Sequence, residues 1–432
     1  MKKIVIGLLG YGTVGSGVAT ILRTNRFDIT SRTHADISVK KALVRNLLKE
    51  RPYGEDILFT DDPYALLHDP EIDIIVEVMG GIEPARTYIL EAFKQGKNVI
   101  TANKDLLASH GLELLSVAEQ NKCDLYFEAS VAGGIPIIAA IRQSLTANRI
   151  SSLIGIINGT TNYILSAMTE QGREFEDVLS EAQELGFAEA DPTADVEGLD
   201  AARKLAILAT LSFNTPVTAD QVFVEGITKV SKADIKYADE LGCVIKLLAI
   251  AKNEDGEVEV RVHPTLLDKK HPLATVNGVF NAVFVVGDAV GETMFYGKGA
   301  GSLPTGSAVV ADIIQVVRNM ESGSRGYHNN TSYQNFPLKA VQDFTTGYYI
   351  RLKVQDQPRV FASLASFFAE AGISFNSIIQ KPRKDKSAEI VLVTHPCKEG
   401  QLRQALATLN NYNKLDKIYN VMRLETGNSL SF

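Results

Sequence analysis

Over the first third of the chain the apolar positions come in short unbroken runs. Lys2–Leu9 (KKIVIGLL), Ile37–Val44, Ile72–Val78 and Asn98–Thr101 are such runs. Strands of a parallel sheet, covered on both faces, read this way. Between them lie segments with apolar residues at helical spacing, such as SGVATIL after Gly15 and the stretch from Pro84 through Phe93. The alternation predicts an α/β nucleotide-binding domain of Rossmann type, with Leu125–Ala129 as the strand that leads out of it. From Val222 to Phe295, longer strand-like segments (VEVRVHPTLL, VNGVFNAVFVVGD) predict the sheet of a second, α+β domain. A helix over Thr305–Val317 is expected to return to the first domain. The Ser-, Gly- and Asn-rich stretch Met320–Pro337 reads as a linker. Beyond it the pattern is β-α-β-β-α-β, a ferredoxin-like unit.

These readings divide the 432 residues into a nucleotide-binding domain (1–129 with about 303–320), a substrate domain (130–302), a linker (321–347) and a C-terminal unit (348–425). A chain of this length has ample core for two or three domains.

Charge and cysteine content narrow the function classes. Forty-four basic against 51 acidic residues give a net charge of −7 with no basic run, so nucleic acid is not expected as a partner. Cys123, Cys243 and Cys397 are scattered and lack metal-ligand spacing, as in a reducing compartment. The start MKKIVIGLLG has lysines ahead of an apolar run, but glycines interrupt it and no Ala-x-Ala site follows, so a buried first strand is expected. No apolar segment approaches the ~20 residues of a membrane span. The expected location is the cytoplasm.

The first chemistry-bearing motif follows the first strand directly. Gly10-Tyr11-Gly12-Thr13-Val14-Gly15 opens a helix, which gives GxGxxG its dinucleotide-binding context. The glycines allow a tight turn and close approach of a pyrophosphate, which sits on the N–H groups of Thr13, Val14 and the first helical turn. The second strand then sets cofactor choice. An acidic residue at its end favours NAD, but here stand Arg45, then Lys49 and Arg51. Arginine in that place binds a 2′-phosphate, so NADP is expected, with NAD tolerated; solvated loop charges are the alternative. Lys104, in Thr101-Ala-Asn-Lys104, follows the carboxyl end of a further strand, where such sheets bind ligands.

The second motif is Ala182–Lys204, AQELGFAEADPTADVEGLDAARK. Asp200 and Lys204 are four apart and share one face of a helix. Gly186 lets backbone approach something flat or bulky. A lysine entering an apolar helix beside a carboxylate can protonate a nascent alkoxide. An acidic surface loop followed by an ordinary ion pair fits the same residues.

Ala182, Gly186, Glu189, Pro192, Asp195, Gly198, Asp200 and Lys204 together resemble the signature of the homoserine dehydrogenase family, and every position of it is matched. The resemblance implies interconversion of L-aspartate 4-semialdehyde and L-homoserine in threonine, methionine and isoleucine biosynthesis. It implies Lys204 as the acid/base residue, Glu189 and Asp200 as substrate-holding residues and Lys104 as a second active-site lysine. It also places Gly186 and Gly301 at the cofactor and implies that Asn158–Leu165 (NGTTNYIL) touches cofactor or substrate. A monovalent cation, expected to be sodium, is implied at Glu128 and the carbonyls of Val131, Gly133 and Ile135. Oxygen-only ligation suits a hard cation. The family builds its subunit interface from the region 222–295, which implies a homodimer or homotetramer. The C-terminal unit resembles an ACT regulatory domain through Asp356-Gln-Pro358 and Gly372-Ile373, with threonine as the implied effector. Arg359 stands where that pattern has glycine, a departure that bears on effector binding and not on the fold.

Two other functions fit the sequence less well. Aspartate-semialdehyde dehydrogenase chemistry needs an activated cysteine, and none of the three cysteines stands in a suitable loop. A catalytically silent amino-acid sensor conflicts with the intact set Lys104, Glu189, Asp200 and Lys204.

Overall fold

The computed structural model describes residues 1–51, 54–326, 333–383 and 385–425. It forms two compact units, one of residues 1–153, 203–222 and 281–335, the other of 154–202, 223–280 and 336–432.

In the first unit the apolar runs form a six-stranded sheet. Its strands are β1 (Lys2–Leu9), β2 (Ala35–Leu43), β3 (Leu58–Thr60), β4 (Ile74–Glu77), β5 (Asn98–Thr101) and β6 (Leu125–Tyr126). The order is β3-β2-β1-β4-β5-β6 and every pairing is parallel. The order reverses between β1 and β4, and such a sheet binds its ligand past the carboxyl ends of the strands at that point. Ile4, Ile6, Leu8, Ile74, Val76 and Ile100 are buried on one face and Leu9, Ile75 and Val99 on the other, which is why these strands read as runs. The last strand is shorter than the sequence suggests. After Tyr126 the chain turns at Glu128–Ser130, where the backbone N–H of Glu128 donates to buried Asp312 at 2.8 Å instead of extending the sheet.

The helix expected over 305–317 spans Ser302–Ser322 and ends at Gly323 in the left-handed conformation (φ 71°). The sequence-based linker therefore begins inside a helix, and its residues 327–332 lie outside the described residues. This helix crosses Thr13–Thr24 with backbones nearly in contact. A Cβ on Gly17 would sit 2.2 Å from the Ser302 carbonyl oxygen, and one on Gly306 would sit 2.9 Å from the Gly17 carbonyl carbon. The Ser302 hydroxyl also donates to the Thr13 carbonyl at 2.7 Å.

The second unit carries the antiparallel hairpin Cys243–Glu254 and Glu257–Asp268. Asp255 and Gly256, both at positive φ, form its two-residue turn. The C-terminal β-α-β-β-α-β unit comprises Thr345–Gln355, Val360–Glu370, Phe375–Pro382, Ser387–Thr394, Glu399–Asn410 and Leu415–Glu425. Its strands stand in the order fourth, first, third, second, over a core of Tyr348, Ile350, Leu364, Phe368, Leu392 and Leu402. Leu415–Glu425 also pairs in parallel with Glu257–Asp268, so this unit continues the hairpin sheet. Buried Arg351 reaches Asp234 at 2.7 Å and Glu389 at 2.9 Å. Arg359 caps the helix Val360–Glu370 with φ 73°. That left-handed conformation is free for glycine and costs another residue about 1–2 kcal/mol.

Candidate functional site

The fingerprint loop is held by its own backbone. Gly10 has φ 109°, and a Cβ there would meet the Val78 carbonyl oxygen at 2.9 Å. On Gly15 it would lie 2.4 Å from the Gly10 carbonyl oxygen. Both glycines are required by the chain itself. Gly12 is different, because no protein atom lies within 4 Å of the place a Cβ would occupy. It is exposed, it begins the helix Thr13–Thr24, and no side chain caps that helix start. Open space in front of uncapped N–H groups is what a pyrophosphate needs.

Arg45 lies exposed just past β2. Arg51 lies over the Phe59 ring at 5.0 Å, and Phe59 meets Tyr11 of the fingerprint edge-on at 5.1 Å. Burial raises the Tyr11 phenol and the nearby Arg51 charge opposes that rise. The cationic loop thus borders the fingerprint.

Past β4 and β5, a buried carboxylate organises two loops. Glu77 accepts the Thr101 hydroxyl at 2.6 Å and the N–H groups of Met79 at 2.8 Å and Gly80 at 3.2 Å. Burial pushes its pKa up while these bonds oppose the rise. Asn103 caps the helix Lys104–Gln120 by accepting from Leu106 and donates to the Gly81 carbonyl at 2.6 Å. Lys104, half-buried, is the first residue of that helix. Glu77 was not singled out from the sequence, although a lone acid inside the apolar run IIVEVM was a signal for it.

Lys204 is half-buried on the helix Leu199–Phe213 and Asp200 is buried in its first turn. Arg203 pairs with Asp105 at 3.3 Å. The chain neighbours of the two lysines therefore meet, and the helices behind them share an apolar cavity of about 130 Å³ lined by Leu107, Leu115, Ile207 and Leu211. Gly10–Gly15, Arg45, Lys104, Lys204, Gly301 and residues 128–135 belong to the first unit; Gly186, Glu189 and Asp200 belong to the second.

Glu189 is exposed, and its carbonyl accepts from the Gln183 amide at 3.1 Å. Thr160, of the NGTTNYIL run, donates to the Phe187 carbonyl at 2.8 Å, and the Tyr163 ring packs on Phe187 at 4.9 Å. Asn158 caps the helix Gly159–Gln171 and donates to both Asp195 and Asp200. Gly186 has a local explanation that the sequence reading missed. It stops the helix Phe175–Glu184 at φ 75° while the Phe187 N–H reaches back to the Ala182 carbonyl at 2.8 Å, a glycine stop motif. Nothing lies within 4 Å of its missing Cβ, so close approach within the chain is not the reason for it. Gly301, exposed at φ 125°, begins the helix Ser302–Ser322.

The loop expected to hold a cation is tightly built. Ala132 and Gly133 both have positive φ, and a Cβ on Gly133 would lie 2.4 Å from the Gly299 carbonyl oxygen. The Glu128 carboxylate accepts N–H groups of Ile138 at 2.8 Å and Ala139 at 2.6 Å. Burial pushes it up to about 7. The Ile135 carbonyl accepts from Ile137 at 2.8 Å. Among the described residues no group of three His, Cys, Asp or Glu side chains is placed to hold a metal.

Burial pushes the Cys123 and Cys243 thiols up to about 11 and raises Cys397 as well. None is set up as a nucleophile. No helix among the described residues is long and apolar enough to cross a membrane.

Comparison with known proteins adds to this geometry. Residues 136–314 match the family model "Homoserine dehydrogenase", 10–128 match "Homoserine dehydrogenase, NAD binding domain" and 348–413 match "ACT domain". The chain is 45% identical to a homoserine dehydrogenase of Bacillus subtilis over 435 residues, covering 100% of both. It is 46% identical to one of Corynebacterium glutamicum, covering 98% of this chain and 96% of that one. Among solved structures, a homoserine dehydrogenase from Thiobacillus denitrificans superposes with a TM-score of 0.94 at 44% identity, covering 98% and 99% of the two chains. A hyperthermophilic archaeal homoserine dehydrogenase in complex with NADPH has a TM-score of 0.63 at 28% identity, covering 73% of this chain and 98% of that one.

Proposed function

The chain belongs to the homoserine dehydrogenase family of NAD(P)-dependent oxidoreductases, and on that premise we propose how its own residues carry out the interconversion of L-aspartate 4-semialdehyde and L-homoserine. A bound nicotinamide cofactor supplies the hydride to the C4 carbonyl carbon and takes it back in oxidation. Lys204 donates the proton to the C4 oxygen in reduction and accepts it in oxidation. Asp200, one helical turn before it, orients it and contacts the substrate. Glu189 holds the substrate ammonium, and Lys104 gives a second cationic contact to substrate and cofactor. The observation that carries this reading is the Arg203–Asp105 pair, which joins the chain neighbours of both lysines.

Gly10, Gly12, Thr13, Val14 and Gly15 would cradle the pyrophosphate, with Gly186 and Gly301 at the cofactor. NADP is the proposed preference, supported by exposed Arg45 at the end of β2. A monovalent cation at residues 128–135 fits less fully. The Glu128 carboxylate already serves two N–H groups and the Ile135 carbonyl a third. The carbonyls of Val131 and Gly133 are then the best candidate donors for sodium, whose role would be to brace the loop.

We assign 1–129 with about 303–320 to the nucleotide domain, 130–302 to the substrate and dimerisation domain, 321–347 to the linker and 348–425 to the ACT unit, with threonine as its effector. A homodimer or homotetramer in the cytoplasm completes the proposal; three buried free thiols accord with a reducing compartment.

The test is steady-state reduction of aspartate 4-semialdehyde with NADPH and with NADH, for wild type and Lys204→Ala. The variant is expected to lose about 10²–10⁴-fold in kcat, the usual worth of a positioned acid, and to keep NADPH affinity. Strong residual turnover would move the proton transfer to Lys104. An inactive wild type would sink the functional reading.

A further inference from the structure

We infer that Asn158 is a positioning residue for this reaction: its side-chain amide spans Asp195 and Asp200 and fixes the Asp200 carboxylate at the head of the Lys204 helix. The inference rests on the roles proposed for Lys204 and Asp200.

The orientation of the amide is determined by its neighbours. Oδ1 of Asn158 accepts the Thr161 N–H at 2.9 Å and the Thr161 hydroxyl at 2.8 Å. An NH₂ group placed there could not accept the backbone N–H. Nδ2 therefore faces the carboxylates, donating to Asp195 Oδ1 at 2.7 Å and Asp200 Oδ2 at 2.9 Å. Two N–H bonds meet two acceptors, and the group is fully used. Asn158 and Asp200 are both buried, so the bond between them is not readily exchanged for water, while Asp195 is half-buried.

The two carboxylates come from different elements. Asp195 lies on the short helix Thr193–Val196 and Asp200 in the first turn of Leu199–Phe213. They are joined through Gly198 at φ 80°, where a Cβ would press on Val224 and Val262 at 3.1 and 3.2 Å. Two like charges brought this close repel. A lysine or arginine between them would hold them but cancel their charge. A neutral amide holds them and leaves the charge to act on Lys204 and on a cationic substrate group.

The amide is itself anchored from behind. Asn162, one turn along the same helix, donates to the carbonyls of Val276, Gly278 and Phe280 at 3.0–3.1 Å. Its Oδ1 accepts from buried Lys246 at 3.1 Å. The helix that carries Asn158 is thus fixed to the strand Cys243–Glu254 and to the segment 276–280.

Asn158 is also a helix N-cap, and the test separates the two roles. Asn158→Asp keeps the capping acceptor for Thr161 and the side-chain size, but has no N–H to offer. Asn158→Ser also caps, with a hydroxyl too short to span both carboxylates. The activity measured is homoserine oxidation with NADP, alongside wild type. Both variants are expected to lose about 10- to 100-fold in kcat/KM for homoserine, the worth of charge-assisted hydrogen bonds. The dissociation constant for NADP should stay at the wild-type value, while the melting temperature falls by a few degrees in both variants because buried Asp200 loses its partner. Variants within about twofold of wild type in kcat/KM would overturn the inference while leaving the enzyme assignment standing. A fall in NADP affinity in step with kcat/KM would assign Asn158 to folding alone and overturn it as well. A wild type without turnover would overturn the functional reading and this inference together.

Discussion

Gly17→Ala sets two effects of opposite sign against each other at one position. Gly17 lies inside the helix Thr13–Thr24, and glycine-to-alanine inside a helix gains about 1 kcal/mol from propensity. The structure places the new Cβ 2.2 Å from the Ser302 carbonyl oxygen and 2.8 Å from its carbonyl carbon. That is more than an ångström inside ordinary contact, and the obstacle is backbone, which has no rotamer to yield. Relief requires the helices Thr13–Thr24 and Ser302–Ser322 to separate, opening the buried layer that includes Val18, Val309 and Ile313. Overpacking of this kind costs about 1–3 kcal/mol; the upper end applies here. Net of propensity, a loss of about 2 kcal/mol is expected.

Gly111→Ala is the matched control. It lies in the helix Lys104–Gln120, and its nearest neighbour would be the Leu107 Cβ at 3.9 Å. That variant should gain up to about 1 kcal/mol. Thermal unfolding followed by circular dichroism reads both, at about 2–4 °C per kcal/mol for a unit of this size. A midpoint raised in Gly17→Ala as in Gly111→Ala would refute the close crossing and the Ser302–Thr13 bond with it.

Two further outcomes follow from burial. Lys246 is buried among the Asn162 amide oxygen, the Val276 carbonyl and Asn277, and burial lowers its pKa to about 8 from 10.5. Between about pH 8 and 10.5 the unfolded chain therefore binds more protons than the folded one, and this group makes stability rise with pH. Relative to Lys246→Met, wild type should gain up to about 1.4 kcal/mol per pH unit across that window, read by urea unfolding at several pH values; parallel profiles would contradict the assignment. The raised thiols of Cys123 and Cys243 predict that iodoacetamide at pH 7.5 leaves the folded protein unlabelled and active. Rapid labelling with inactivation would point instead to cysteine chemistry.

The parts of this protein legible from sequence are those with local causes. The parallel strands announced themselves because burial on both faces leaves no polar positions. The fingerprint was legible because Gly10 and Gly15 answer to a turn only six residues long. The βαββαβ pattern of the C-terminal unit followed from periodicity alone. Even Arg359 was visible as a departure, and its left-handed φ shows what glycine would have relieved. The signature from Ala182 to Lys204 identified the family, because a long spaced pattern carries more information than any one residue.

Other features depend on residues far apart in the chain. Gly17 and Gly306 look like ordinary helical glycines until two backbones cross there. Glu77 reads as an interruption of a strand until Thr101, Met79 and Gly80 close around it. The Leu125–Ala129 strand was overextended because nothing local says that Asp312 claims the Glu128 N–H. Gly186 has a second, local role that its sequence context hides: it is the left-handed stop two residues past Glu184. Asn158 caps a helix through contacts a few residues away, but its bonds to Asp195 and Asp200 depend on where distant turns come to rest. Hydrophobic periodicity and turn chemistry act over a few residues and are written in order along the chain. Close backbone approach and shared hydrogen bonds are pairwise terms between distant segments, and only the tertiary structure decides them.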